Sequence, residues 1–351
     1  WEMLERLKRK GGLAEDSPQN LHVDSELLKV EAEQMCLEAS CTLRLHSWAV
    51  GSVVDSQRVS GILLESKSGR QALLAKVCVD ATGDGDIAAF SNADHELHQQ
   101  KIGLNLKIGG VNRERYRQFE RNQPDRFREL RTQLLEIGGV PLQPNTTPQC
   151  EAGIFWVNVL GLSERSQLGT LEGPIHERFK GTLSCLNVED LTHVEVELKR
   201  RIMLSLDHYR KNVPGFEDVQ LLGFASQLGV RESRLICGLY RVSRMDVIEE
   251  RQLEGTIGIC GYQADEIQGS FPIPYGCLVP RKVDGLLVAG RCISTDHWTQ
   301  QFARLIAPSM MTGQAAGKAA ALCIKTGVEP RDLDPELLRF DLAQDGVILE
   351  T

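Results

Sequence analysis

Six polar residues in the second half of the chain have the types that move protons or hold charge: Arg231, Glu232, Arg234, Asp296, His297 and Arg304. An imidazole such as His297 can accept or donate a proton, which makes it a candidate general acid or base. Arg304 stays cationic, so it suits a carboxylate or another anion better than proton transfer. Each has a plainer alternative. His297 could be bonded to a neighbouring backbone group, and Arg304 could pair structurally with Asp296 or Glu232. If residues 231–234 lie on a strand, Arg231 and Ser233 point to one side and Glu232 and Arg234 to the other. Only one of those pairs can then line a site. The same alternation also describes an exposed, salt-bridged strand.

The elements that must position these groups are clearest at 285–327. The apolar run Leu286-Leu287-Val288-Ala289, stopped by Gly290-Arg291, reads as a buried strand of a parallel sheet. A polar loop carrying Asp296, His297 and Arg304 follows. After Pro308 the pattern predicts a small-residue helix over 309–325, closed by Gly327. Gly313, Ala316, Gly317 and Ala320 share one face of it, where another backbone or a flat ligand could approach closely. Strand, polar loop and Gly-rich helix start form the layout of a nucleotide or cofactor site at the carboxyl end of a sheet. A second strand, 77–81, runs into Asp80-Ala81-Thr82-Gly83-Asp84-Gly85-Asp86. The glycines permit a tight turn, and Asp84 and Asp86 complement the dipole of the helix that follows. A simple N-capped turn is the alternative to a cofactor-facing one. The stretch offers too few oxygen ligands for a calcium loop.

Three blocks carry a resemblance. They are VAGRCISTDH at 288–297 with Arg304 and MMTGQAAGKAAAL at 310–322, VCVDATGDGDIAAF at 77–90, and, more weakly, GVRESRLICG at 229–238. The sequence resembles the FAD-dependent oxidoreductases, relatives of fumarate reductase and succinate dehydrogenase flavoproteins and of heterodisulfide reductase A-like proteins. The resemblance implies non-covalent FAD in an extended pose. It assigns cofactor contacts to Ala81, Thr82, Gly83, Asp84, Gly85, Gly290, Arg291, Thr312, Gly313, Gln314 and Ala315. Chemistry falls to His297, Arg304, Arg231 and Glu232, with no metal. Arg304 could equally serve the anionic reduced flavin. The implied fold is α/β: an incomplete, split Rossmann-like FAD-binding domain of the glutathione reductase type over 1–100 and 276–351. An inserted α+β cap over 101–275 would cover the cofactor.

The family opens with a strand, a Gly-x-Gly-x-x-Gly turn and a helix, whereas this sequence starts at Trp1 in mid-pattern and holds no such fingerprint. The expectation is a chain without its first nucleotide-binding unit. Helix 24–40, with Asp24 as N-cap, leads into short β-runs at 42–45, 49–54, 59–65 and 71–75. At 351 residues there is room for two domains.

A net charge of −8 with few aromatics argues against nucleic acid. No apolar run reaches the ~18 residues of a membrane helix, and the first residues read as a basic amphipathic helix rather than a signal peptide. The ten cysteines are scattered without a Cys-x-x-Cys pair, so they read as reduced core thiols, Cys292 included. That spacing argues against an iron–sulfur cluster held by this chain alone, since clusters usually take closely spaced cysteines.

The expected function is a cytoplasmic, FAD-dependent oxidoreductase acting on a small molecule, with a carboxylic acid suggested by the arginines. Two readings stand beside it. One is a truncated, non-catalytic flavoprotein, and the other is an electron-transfer subunit whose redox partner protein carries iron–sulfur clusters.

Overall fold

Two separate hydrophobic cores collect most of the buried apolar side chains, one drawn from 102–219 and the other from 59–93 together with 236–342. The computed structural model describes residues 2–17, 20–98, 100–168, 181–264 and 267–350. One compact unit is Trp1–Arg44 with Lys101–Val230, and the other is Leu45–Gln100 with Arg231–Thr351.

The first unit is built on a four-stranded antiparallel sheet, in the order Gln220–Phe224, Ile102–Gly109, Phe155–Leu162, Pro144–Asn145. The helix Val188–Asn212 starts at Asn187, whose side chain accepts from the N–H groups of Glu189 and Asp190. Its buried stripe of Val194, Leu198, Ile202, Leu206 and Tyr209 repeats every three to four residues, as an amphipathic helix requires. The charged stretch after Arg113 is two helices, Arg113–Asn122 and Pro124–Glu136, broken where Pro124 opens the second. Tyr116, Phe119, Leu130 and Leu134 turn inward from them.

The second unit contains the candidate chemistry. Trp48–Asp55, Arg58–Ser66 and Gly69–Leu74 form an antiparallel meander. The expected strand at 42–45 is irregular instead. The meander feeds Cys78–Asp80, which pairs in parallel with Leu286–Val288, Leu286 opposite Cys78 and Val288 opposite Asp80. Leu286, Leu287 and Val288 are all fully buried, the pattern of a strand covered on both faces. His95–Leu97 pairs antiparallel with Arg234–Ile236, and Thr256–Ala264 with Ile267–Pro274.

The small-residue helix runs Ile306–Thr326, three residues earlier than its sequence suggests. Pro308 sits in the first turn, where a missing N–H costs nothing. The buried face is Thr312, Ala315, Ala316, Ala319, Leu322 and Cys323. Gly313 and Gly317 lie on the other side, and a Cβ built on either meets no atom within 4 Å. Close packing therefore runs through the alanines, and the glycines face no protein backbone.

The units divide the chain elsewhere than sequence boundaries at 100 and 276 would. Residues 231–275 join the second unit because Arg234–Ile236 pairs with His95–Leu97 and the hairpin after Thr256 shares its core. Residues 1–44 join the first. These pairings are long-range, and a linear reading does not contain them.

Gly285 is the tightest joint of the parallel pair. Its φ is +66°, and an added Cβ would lie 2.4 Å from the carbonyl oxygen of Val59. Its own carbonyl accepts the Cys78 N–H at 2.9 Å, and its N–H donates to Glu329 Oε2 at 3.0 Å. Gly285→Ala should lower unfolding stability by about 1–3 kcal/mol through strain and overpacking, seen as an earlier denaturant midpoint. A midpoint equal to the parent's would show that the backbone relaxes freely there.

Candidate functional site

The strand Cys78–Asp80 ends on a carboxylate that solvent does not reach. Asp80 Oδ1 accepts the Thr82 N–H at 3.0 Å and the Thr82 hydroxyl at 2.7 Å, and Oδ2 accepts the Ala88 N–H at 2.9 Å. Thr82 Oγ1 in turn accepts the Asp86 N–H at 2.9 Å. These bonds fold the chain sharply back into the short helix Asp86–Phe90. Gly83 and Gly85 have φ of +83° and +64°, a region where glycine carries no steric cost. Gly85, in the left-handed conformation, is the N-cap.

Arg291 closes over this turn. Its Nε donates to the Gly83 carbonyl at 3.2 Å, and its terminal nitrogen to Asp84 Oδ1 at 2.7 Å. Ser233 Oγ donates to the same Asp84 oxygen at 2.6 Å, and Arg234 donates to Asp86 Oδ1 at 2.8 Å. Burial pushes the Asp86 carboxyl up, and Arg234 opposes the shift. The Gly290 N–H donates to Thr312 Oγ1 at 3.1 Å. Residues 83–84, 233–234, 290–291 and 312 thus meet at the carboxyl ends of the parallel pair. Ala81 and Thr82 are exposed beside them, and Gly313 and Gln314 are exposed on the helix. Ala315 is packed into the core, and Gln314 reaches towards Asp345 at 3.4 Å.

A second polar group gathers around Glu232, whose side chain is completely buried. Its Oε2 lies 2.8 Å from His297 Nδ1 and accepts from Gln100 Nε2 at 2.8 Å. His297 opens the helix His297–Ala303 and is not in a loop, because Asp296 caps that helix by accepting the Thr299 N–H at 2.8 Å. The other Asp296 oxygen takes the Arg244 N–H at 2.7 Å. The partner of His297 is therefore a carboxylate, not the backbone. The stretch 231–233 precedes its strand and does not alternate: Glu232 turns to His297, while Ser233 and Arg234 turn to the aspartates. Both Glu232 and Ser233 are buried, so this is no exposed, salt-bridged strand.

His98 is the member that sequence reasoning missed. Its ring stacks on His297 at 5.6 Å between centroids, and its Nε2 is 3.2 Å from Glu96 Oε2. No local spacing links residues 98, 232 and 297.

Arg304 caps the end of His297–Ala303 and is half-buried. Among the described residues no carboxylate forms an ion pair with it, and its buried Nε lacks a hydrogen-bond partner. Burial lowers its pKa, and the nearby charge of Arg231 and Arg291 adds to that against the pull of Glu232. Gln300, one helical turn earlier, donates to the Arg231 carbonyl at 2.9 Å, while its buried Oε1 has no partner. A buried cationic donor without an acceptor is suited to an exogenous anion. Cys292 is fully buried, and burial drives its thiol pKa upward, so it is inert as a nucleophile.

The family model described as FAD dependent oxidoreductase matches residues 1–342. No curated protein sequence matches the chain. Among solved structures, similarity is found to a geranylgeranyl bacteriochlorophyll reductase-like protein from Thermoplasma acidophilum. It shows 12% identity and a TM-score of 0.40, covering 92% of this chain and 59% of that one. The flavin-dependent brominase Bmp2 is similar at 12% identity and a TM-score of 0.38, covering 92% and 60%. The chain thus spans 59–60% of the length of these structures.

Asp80→Ala should leave the Thr82 and Ala88 N–H groups without their acceptor. The Ala88 N–H is buried, and a buried unsatisfied donor costs about 1–3 kcal/mol, so a clear drop in unfolding midpoint is expected. Unchanged thermal unfolding of that variant would show that water replaces the carboxylate at no cost.

Proposed function

The chain belongs to the FAD dependent oxidoreductase family, whose cofactor is FAD, and from that premise we propose that it holds FAD non-covalently and transfers a hydride or electrons to or from a small-molecule substrate. The observation that carries the reading is the convergence at the carboxyl ends of Cys78–Asp80 and Leu286–Val288. Ligands of open α/β sheets lie at such ends. The residues there fit a flavin nucleotide. A Cβ at Gly290 would meet only Ser309, at 3.8 Å or beyond, and one at Gly313 would meet nothing within 4 Å. Backbone can thus approach a flat ligand at both points. Gly83, Asp84, Gly290, Arg291, Gly313 and Gln314 would hold the cofactor, with Ala81, Thr82 and Gly85 shaping the turn. Thr312 and Ala315 act from inside the core by fixing the helix.

When bound, FAD supplies the capacity to take up or release a hydride or electrons. The protein's part is binding, orientation and proton movement. Gln100 holds the Glu232 carboxylate, and Glu232 holds His297 by Nδ1. That leaves Nε2 of a half-exposed imidazole to exchange a proton with substrate. Arg304, with Arg231, supplies positive charge for an anionic substrate, for which a small carboxylic acid is the chemical class.

Gly313→Leu separates binding from folding. The added side chain enters open space, and replacing an exposed helical glycine by leucine should favour the helix by somewhat less than the roughly 0.8–1 kcal/mol that separates glycine from alanine. The expected result is intact thermal stability with loss of flavin absorbance from the purified protein. Retained flavin would remove Gly313 from the site.

Turnover distinguishes the polar groups. A proton-transfer residue is worth about 100- to 10,000-fold in rate, so His297→Ala should slow flavin reduction on that scale with bound flavin nearly unchanged. Arg304→Lys keeps the charge but loses the planar fork, and should chiefly raise KM for an anionic substrate. Full activity of His297→Ala would end its acid–base role.

A further inference from the structure

We propose that His98, Glu232 and His297 form a binding site for one divalent transition-metal ion, with Zn2+ and Co2+ as the ions of matching chemistry. One ligand atom from each of the three lies within 4.8 Å of the others. Two imidazoles and one carboxylate are a donor set typical of such ions, and three protein ligands leave a position open for water or an anion. No metal was expected from the linear sequence, because the ligands come from three distant segments.

The supporting contacts have the form of a ligand-orienting shell. Glu232 is completely buried and held by Gln100 Nε2 at 2.8 Å. His98 is held at Nε2 by Glu96, 3.2 Å away, which leaves Nδ1 of that ring to coordinate. A carboxylate on the far nitrogen of a ligating histidine is the usual way such rings are fixed. Glu96 is itself gripped by two nitrogens of Arg241, each at 2.7 Å. In a tetrahedral site with bonds of 2.0–2.1 Å the ligand atoms sit about 3.4 Å apart. Reaching that spacing requires opening the 2.8 Å contact between His297 Nδ1 and Glu232 Oε2 and small rotations of the His98 and His297 rings, whose side chains are 29% and 51% exposed.

The ion would take the seat between Glu232 Oε2 and His297 Nδ1 that a hydrogen bond holds now. The Nδ1 proton moves to Nε2 by exchange through solvent, so His297 binds the metal as a neutral imidazole. Arg304 and Arg231 lie close enough to act on one another electrostatically, and Arg304 also senses Glu232. Their charge disfavours a bare dication and favours an anion on its open position. Metal binding also stops His297 from serving as an acid or base, so the ion would inhibit turnover. Only that last consequence rests on the flavin reading above.

The test uses the full chain, stripped with a chelator and titrated with Co2+. The expected result is one Co2+ per chain, with visible ligand-field bands that Zn2+ abolishes. His98→Ala and Glu232→Gln should each weaken binding at least tenfold. Glu96→Gln should weaken it about 10- to 100-fold through the orienting contact. His95→Ala, whose ring bonds the Ala93 carbonyl at 3.0 Å outside the cluster, should bind like the parent. If Glu232→Gln does not fold, His98→Ala at a partly exposed position still decides. Absence of saturable Co2+ binding, or equal affinity in His98→Ala and the parent, overturns the site whatever the flavin content. Retained Co2+ binding in a protein that never takes up flavin supports the site and sinks only the flavin reading.

Discussion

A single buried carboxylate sets the geometry of the second unit. Asp80 has no solvent to hydrate it, so its charge is tolerable only while Thr82 and Ala88 supply three donors. Meeting that demand forces the turn after the strand, and the turn forces the two left-handed glycines. The same turn presents Asp84 and Asp86 to Arg291, Ser233 and Arg234. Remote segments are thereby tied to the end of one three-residue strand. The parallel partner strand is tied in by the Ala289 N–H, which donates to the Asp80 carbonyl at 3.0 Å.

Glu232 is a second buried charge under the same constraint, solved differently. Two of its partners are side chains, Gln100 and an imidazole, which can change by rotation, whereas Asp80 is held by two backbone N–H groups and one hydroxyl. That contrast separates scaffold from candidate chemistry. The first carboxylate gives rigidity. The second sits where a half-exposed ring can exchange what it binds.

Much of this was legible in the residues. Apolar runs gave both parallel strands, Asp24 gave its helix cap, and the glycines of 83–85 gave the turn. The chemistry candidates His297, Glu232 and Arg304 do lie in one unit, and Glu232 and His297 touch. What failed was direction. Gly313, Ala316, Gly317 and Ala320 share a face by spacing alone, yet the helix turns its alanines inward, because one methyl per residue packs more apolar surface than none. His98 and Gln100 were invisible because His297 and Glu232, which they meet, lie over a hundred positions away, and no periodicity encodes such a meeting. Asp80 was read as part of a motif, but its burial, which makes it structural, is a tertiary fact.

Interleaving of the units has a consequence for synthesis. The chain passes between them after residues 44, 100 and 230, so neither is a continuous segment. Gln100 and Glu232 are 132 positions apart. At roughly 5–20 residues per second, a ribosome needs on the order of ten seconds to deliver the second after the first. Throughout that interval Asp84 and Asp86 have emerged without the serine and arginines that later pair with them. The meander at 48–74 can form early, since its pairings are local. The ion pairs of the turn beside it must wait for the distant half of the polypeptide.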